Sequence, residues 1–173
     1  LTAYLTLSAI LTAMLLMFSA FNLAMADESS SARKIKVQQA TAEAAPVPKP
    51  EFAPDKVVRI QLEALANNDT PYQDAGIEIA FRFASPANKQ TTGPLSRFIQ
   101  LVHNPIYHPM LDHQTAKFGD LFLEETQAFL PVFLETSDGK RVGYMFVLSK
   151  QQGGEFDQCW MTDAVLRFEV TSV

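Results

Sequence analysis

Residues 127–149 read QAFLPVFLETSDGKRVGYMFVLS, and the reading of this stretch decides the fold. Two runs rich in Phe, Val, Leu and Tyr flank Ser137-Asp138-Gly139-Lys140. Asp-Gly between such runs is the strongest short-range hairpin signal. Gln127 to Thr136 is therefore expected as a strand and Arg141 to Ser149 as its antiparallel return. In the return, Val142, Tyr144, Phe146 and Leu148 fall on one face. Gly153-Gly154 marks a second turn, and Cys159 to Val170 is expected as a third strand. Strict alternation there puts Trp160, Thr162, Ala164, Leu166, Phe168 and Val170 on one face. Met161, Asp163, Val165, Arg167 and Glu169 fall on the other. Pro131 has no N–H for a ladder, so its strand is expected to lie at an edge or to carry a bulge.

Upstream of the meander the period changes from two to 3.6. Val58, Leu62 and Leu65 recur at helical spacing, so Asp55 to Asn68 is expected as a helix opened by Pro54 and stopped by Asn67-Asn68-Asp69-Thr70-Pro71. Gly76 to Ala84 supports two readings. Ile77, Ile79, Phe81 and Phe83 alternate as in a strand, whereas Ile77, Ala80, Phe81 and Ala84 make a helical stripe; the local pattern favours the strand. Ser85-Pro86 ends the segment either way. Leu95, Phe98, Ile99 and Val102 form a further helix after Gly93-Pro94, closed by Asn104-Pro105. From Ile106 the chain is expected to be extended, since Pro105 and Pro109 bar helix, and Leu111 to Phe118 and Leu121 to Glu125 are expected as strands around Gly119-Asp120. Helices followed by an antiparallel meander predict an α+β domain over residues 55–173, with helices packed on one face of a curved sheet.

Leu1 to Ala26 contains no Asp, Glu, Lys, Arg or His. As an α-helix, Leu1 to Phe21 would rise about 31 Å at ~1.5 Å per residue, close to the ~30 Å of bilayer hydrocarbon. A transmembrane anchor is expected. A cleavable signal stays open, because Ala24-Met25-Ala26 fits a small-x-small cleavage site. A chain that starts at Leu1 without Met and keeps this ending is expected to be imported into an organelle by a two-part address and to retain its anchor. Asn22 reads as an interfacial amide at the helix end. Residues 27–54 are expected as an extended linker: Arg33, Lys34 and Lys36 form a basic knot, and Ala45-Pro-Val-Pro-Lys-Pro50 favours polyproline II. The signal-like ending followed by Asp27-Glu28 points to a translocated soluble domain, against the positive-inside preference of the knot.

The chain has 173 residues and a net charge of −5, which gives no electrostatic footprint for nucleic acid. A single cysteine, Cys159, excludes an internal disulfide and a multi-cysteine metal site. Thirteen phenylalanines promise a substantial core.

Val58 to Asp69 (VRIQLEALANND), Phe81-Arg-Phe-Ala-Ser-Pro-Ala87, Phe98-Ile-Gln-Leu-Val102 and Pro105-x-Tyr107-x-Pro109 together resemble domain of unknown function 4864, carried by bacteria and by chloroplasts of plants and algae. Trp160-Met-Thr-Asp-Ala-Val-Leu-Arg167 is similar to the plant and algal branch. The resemblance covers about residues 57–170. It implies an NTF2-like cone in which Gly76 to Ala84 is helical, and it brings no catalytic motif.

The chemistry-bearing residues do not converge in sequence. His103, His108 and His113 recur every five residues, which spreads them ~140° apart on a helix and to opposite faces of a strand, so they are expected as surface or packing histidines. An NTF2-like cone could gather Tyr107, Asp112, Tyr144 and Asp163. A buried Asp163 would be a general-base candidate, but alternation places it toward solvent beside Arg167 and Glu169. Cys159 reads as core or strand edge, and Phe118, Phe122, Phe129 and Phe133 as core or interface, some of them exposed if the domain docks onto a partner. No catalytic, cofactor-binding or metal-ligating residue is assigned, and no cofactor of its own is expected. Chlorophyll, carotenoid or lipid contact is expected only at the anchor. Together these readings predict a non-catalytic, single-span accessory subunit of a membrane supercomplex. The expected host is an algal photosystem with its light-harvesting antenna at the thylakoid membrane, with the domain in the lumen and core and antenna proteins as partners. The alternative is a free lumenal NTF2-like enzyme or small-ligand binder, released by cleavage.

Overall fold

Pro54, whose ring presets a helical φ and whose missing N–H costs nothing in a first turn, opens helix α1 (Pro54–Ala66) in a computed structural model that describes residues 45–170. Its apolar stripe is buried: Val57, Val58, Leu62 and Leu65 are each 3% exposed or less. Asn67 ends the helix, and its side-chain amide donates to the Glu63 carbonyl at 3.0 Å, satisfying a last-turn acceptor.

The ambiguous segment is helix α2 (Ala75–Arg82), which corrects the local strand reading and agrees with the family resemblance. Ile77, Ala80 and Ala84 bury on one side at helical spacing with Phe83, while Phe81 turns away onto Phe98 with ring centroids 5.1 Å apart. A strand would have left half of these apolar side chains facing outward. Ser85-Pro86, read as a stop, also starts helix α3 (Pro86–Thr92): the Ser85 hydroxyl accepts from the Asn88 N–H at 3.1 Å, and Pro86 takes the first helical position. Helix α4 (Leu95–Val102) follows, and a 3₁₀ turn at His108–Met110 replaces the extended chain expected there.

Five antiparallel strands follow: β1 (Thr115–Phe118), β2 (Phe122–Leu123), β3 (Gln127–Glu135), β4 (Arg141–Lys150) and β5 (Trp160–Phe168). They order as β1-β3-β4-β5, with β2 also paired to β3. The first two are shorter than expected; β1 starts late because Leu111 and His113 bury in a turn where Asp112 takes φ 52°. Pro131 lies neither on an edge strand nor in a bulge, which corrects the expectation. On one side β1 pairs with residues 132–135 and β2 with 128–129, so Pro131 falls in the gap where no N–H is called for. Its carbonyl still accepts from Gly119 at 2.8 Å. The break between β1 and β2 is thus the local answer to a proline in an interior strand.

The alternation expected along β5 fails at Asp163. Thr162 pairs with Leu148 and Ala164 with Val147, leaving Asp163 as the extra residue of a bulge. Before the bulge Thr162 points into the core at 2% exposure; after it Ala164 and Leu166 join the outer face and Val165 packs against the core. The α+β expectation holds for the described residues: helices cover one face of a curved antiparallel sheet, burying Leu130, Val132, Leu134, Tyr144, Phe146 and Leu148. The compact unit begins at Pro46, ahead of the expected boundary at 55. Phe52 of the expected linker stacks on Phe83, with centroids 6.5 Å apart. The anchor expected at Leu1 to Ala26 and the linker as far as residue 44 lie outside the described residues. No helix among the described residues is long and apolar enough to cross a membrane.

Tyr144 carries a pH signature of this core. It is fully buried, its hydroxyl donates to the Ile106 carbonyl at 2.6 Å, and burial pushes its phenol up to about 12. Ionisation then favours the unfolded chain, where the phenol titrates near 10, so the contribution is complete below pH 10 and is lost as pH rises toward 12. Unfolding free energy should fall by about 2 to 3 kcal/mol from this group across that window. Tyr144→Phe should remove that part of the alkaline loss while lowering neutral-pH stability by about 1 kcal/mol, measured by denaturant titration at several pH values. An unchanged alkaline slope would refute the assignment.

Candidate functional site

An end strand offers unpaired backbone groups, and β5 is an end strand. Most of its free edge is occupied by the elements that precede the sheet. Thr162 donates its N–H to the Phe83 carbonyl at 2.9 Å and accepts from the Ser85 N–H at 2.8 Å. The Asn88 side-chain amide donates to the Asp163 carbonyl at 2.8 Å, and the Tyr107 hydroxyl to the Val165 carbonyl at 3.2 Å. Lys89 holds α3 in place from its other side. Its ammonium donates to the Arg82 carbonyl at 3.2 Å and lies 5.3 Å from the ring centroids of both Phe81 and Phe156; burial lowers its pKa, partly offset by Glu155.

Between β5, α3, α4 and Tyr107 this arrangement leaves a cavity of about 310 Å³, at the small end of ligand-sized sites. Its apolar wall comes from Ala84, Ala87, Phe98, Leu101 and Met110. At its floor the Thr162 hydroxyl donates to the Gln61 amide oxygen at 2.7 Å, and the Gln61 amide nitrogen donates to the Ala80 carbonyl at 3.0 Å. Asn88, Thr91, Thr92, Tyr107 and Asp163 add polar groups, and Val102 with Ala164, Val165 and Leu166 of β5 closes the lining.

Of the four residues an enzyme-like cone could gather, Tyr107 and Asp163 share this cavity. Asp163 is half-buried at the bulge, not turned to solvent with Arg167 and Glu169 as the alternation implied. Tyr144 spends its hydroxyl on Ile106, and Asp112 is exposed in its turn. The histidines do not converge. His103 pairs with Asp74 at 2.8 Å, His113 is buried with Nδ1 2.9 Å from the Met110 carbonyl, and the rings of His103 and His108 are 6.5 Å apart. Burial opposes ionisation of Asp74, but hydrogen bonds from Asn68 and His103 outweigh it and lower its pKa. Burial, then Glu51 and Asp157, raises the pKa of the Cys159 thiol. A thiol held in its protonated form is a poor nucleophile.

Gln61, Asn88 and Thr162 were not singled out by sequence. Gln61 did carry a signal, since Val58, Gln61, Leu62 and Leu65 fall on one helical stripe and a polar residue there must find a buried partner. Asn88 carried none, because its partner is 75 residues away.

The other unusual surface is the outer face of the sheet. In register, Phe133, Gly143 and Phe168 form one row, Pro131, Met145 and Leu166 a second, and Phe122, Phe129, Val147 and Ala164 a third. The Phe168 ring lies over Gly143 and meets Phe133 edge-on at 5.7 Å. Phe122, Leu166 and Phe133 are 60%, 57% and 37% exposed. At ~4.8 Å between strands and ~6.8 Å between rows, the ten aligned positions cover roughly 330 Å², the size of the largest apolar patch on a typical monomer, which is often functional. Of the four singled-out phenylalanines, Phe122, Phe129 and Phe133 belong to this face, whereas Phe118 packs toward the core under the Arg59 guanidinium, 4.0 Å from its ring.

A family model described as "Domain of unknown function (DUF4864)" matches residues 51–172. No curated protein and no solved structure matches the chain.

Proposed function

The chain belongs to the Domain of unknown function (DUF4864) family, and from that premise we propose that it is a non-catalytic accessory subunit that docks onto a membrane-protein assembly. The observation that carries this reading is the outer sheet face, whose three successive rows are apolar across β2 to β5, with Lys117 of β1 at the margin beside Phe133. In a two-layer domain that face normally meets water and alternates to polar residues. Keeping it apolar is costly unless a partner covers it. The reading takes the fold as an NTF2-like cone of the plant and algal branch. The charge-free Leu1 to Ala26 is its membrane anchor, and a thylakoid photosystem with its antenna is its host. The domain would then lie in the lumen, bridging core and antenna proteins.

Leu166→Asp tests the face directly. Leu166 is 57% exposed, so the substitution should change folding stability by no more than about 0.5 kcal/mol. Wild type should migrate with a large assembly when solubilised thylakoid membranes are run on a native gel, and the variant should run as the free chain. Wild type migrating only as a monomer would sink the proposal, and so would an assembly indifferent to Leu166→Asp.

A second reading, a small-ligand binder, draws support from the cavity beside β5. The two readings are compatible, since they share only Ala164 and Leu166 at the β5 edge.

A further inference from the structure

The hydroxyls of the β5 cavity have spent their protons on the protein itself. Thr91 donates to the Ala87 carbonyl at 3.1 Å, Thr92 to the Asn88 carbonyl at 3.0 Å, Tyr107 to Val165 at 3.2 Å and Thr162 to Gln61 at 2.7 Å. Each is left with oxygen lone pairs, which can only accept. Asp163 is the one carboxyl side chain among the lining residues, and no Lys, Arg or His lines the cavity. A carboxylate adds further acceptors and a negative charge. Beyond a second N–H on each of the Gln61 and Asn88 amides, what remains unused is therefore acceptor capacity set in an apolar wall.

We propose that this cavity binds a small, mainly apolar molecule whose single polar head donates hydrogen bonds, an alcohol or an amine, and that it rejects acids. The apolar wall of Ala84, Ala87, Phe98, Leu101 and Met110 takes the body of the molecule. The head meets the oxygens of Tyr107, Thr162 and Asp163. A carboxylate or phosphate head finds no cation there, loses its hydration and faces Asp163. The volume, about 310 Å³, suits a body of one ring or a short branched chain more than a long lipid tail. The site borders the outer-face docking surface at Ala164 and Leu166, which line the cavity as well, but the proposal does not depend on that docking.

The test uses the full chain in an uncharged maltoside detergent, followed by two-dimensional amide NMR. Three compounds with one apolar body are compared, 4-phenylbutan-1-ol, 4-phenylbutylamine and 4-phenylbutyrate, each referenced to empty micelles. The alcohol and the amine should shift the amides of Thr162 to Leu166 and of α3. The acid should bind at least about tenfold more weakly, because it leaves the lining acceptors unpaired. Ala87→Phe and, independently, Thr91→Trp place bulk on the lining from exposed helical positions, and each should reduce binding of the alcohol and the amine several-fold. Acid binding as tight as the amine overturns the proposal. So do shifts that fall elsewhere, shifts that survive both substitutions, or the absence of any shift with all three compounds.

Discussion

Gly76→Ala should destabilise the domain by about 3 kcal/mol or more, although helix propensity alone favours alanine by roughly 0.5 to 1 kcal/mol. Gly76 lies in the first turn of α2, where that helix crosses the end of α1. A Cβ there would sit 2.1 Å from the Ala64 carbonyl oxygen and 2.9 Å from the Asn68 Cα. Both are backbone atoms and cannot swing aside, so the helices must separate. Separation also breaks the bond from the Gly76 N–H to the Asn68 carbonyl, 2.8 Å, and the cap in which the Asn68 side chain accepts from the Ile77 N–H at 3.1 Å. Gly143 makes the comparison. Its Cβ would meet the Phe168 ring at 2.3 Å, but that ring is a side chain near the sheet edge, so Gly143→Ala should cost less than Gly76→Ala. Denaturant midpoints of the two variants decide the matter, and a neutral or stabilising Gly76→Ala would show that the helices do not cross this closely.

Gln61→Leu should cost about 2 to 3 kcal/mol, and most of that should come from what it leaves behind. Gln61 and Thr162 are 5% and 2% exposed, and their bond joins α1 to β5 across 101 positions of sequence. Leucine fills a similar volume but strands the Thr162 hydroxyl and removes the donor to Ala80. Thr162→Val alone should cost about 1 to 2 kcal/mol. The double variant should be less destabilised than the two single variants added together, by at least about 1 kcal/mol, because two apolar groups replace a matched polar pair. A thermodynamic cycle from urea unfolding measures the coupling, and strict additivity would mean the bond is not formed. The same pair floors the cavity beside β5, so the double variant would also make that cavity more apolar.

Legibility in the sequence followed the range of the forces involved. The hairpin at Asp138-Gly139 is local, so β3 and β4 appear within one residue of their expected ends. The helices α1 and α4 were legible from their stripes. Gly76 to Ala84 was not, because a short run of Ile, Ala and Phe satisfies both periods and only packing against α1 chooses between them. The position of Pro131 was misjudged because the gap between β1 and β2 that accommodates it is a property of two other strands. The face of Asp163 was misjudged because one bulge inverts the alternation on one side of it. Of the cavity, Tyr107 and Asp163 were named in advance, but not that they meet. Gln61 announced itself only as a polar residue on an apolar stripe.

The sequence by itself determined the α+β class, the antiparallel meander, the division between a charge-free first stretch and a folded domain, and the family. All of these depend on composition, period and short motifs, which are written within ten or twenty residues. Only the tertiary structure decided which faces are covered. The cavity exists because Asn88 and Tyr107 reach across to β5, and the outer face is a continuous apolar surface because register aligns Phe122, Phe129, Pro131, Phe133, Met145, Val147, Leu166 and Phe168 in rows. Alternation along one strand says which side chains go together. Whether that set meets a helix, a cavity or a partner depends on contacts made across the whole chain.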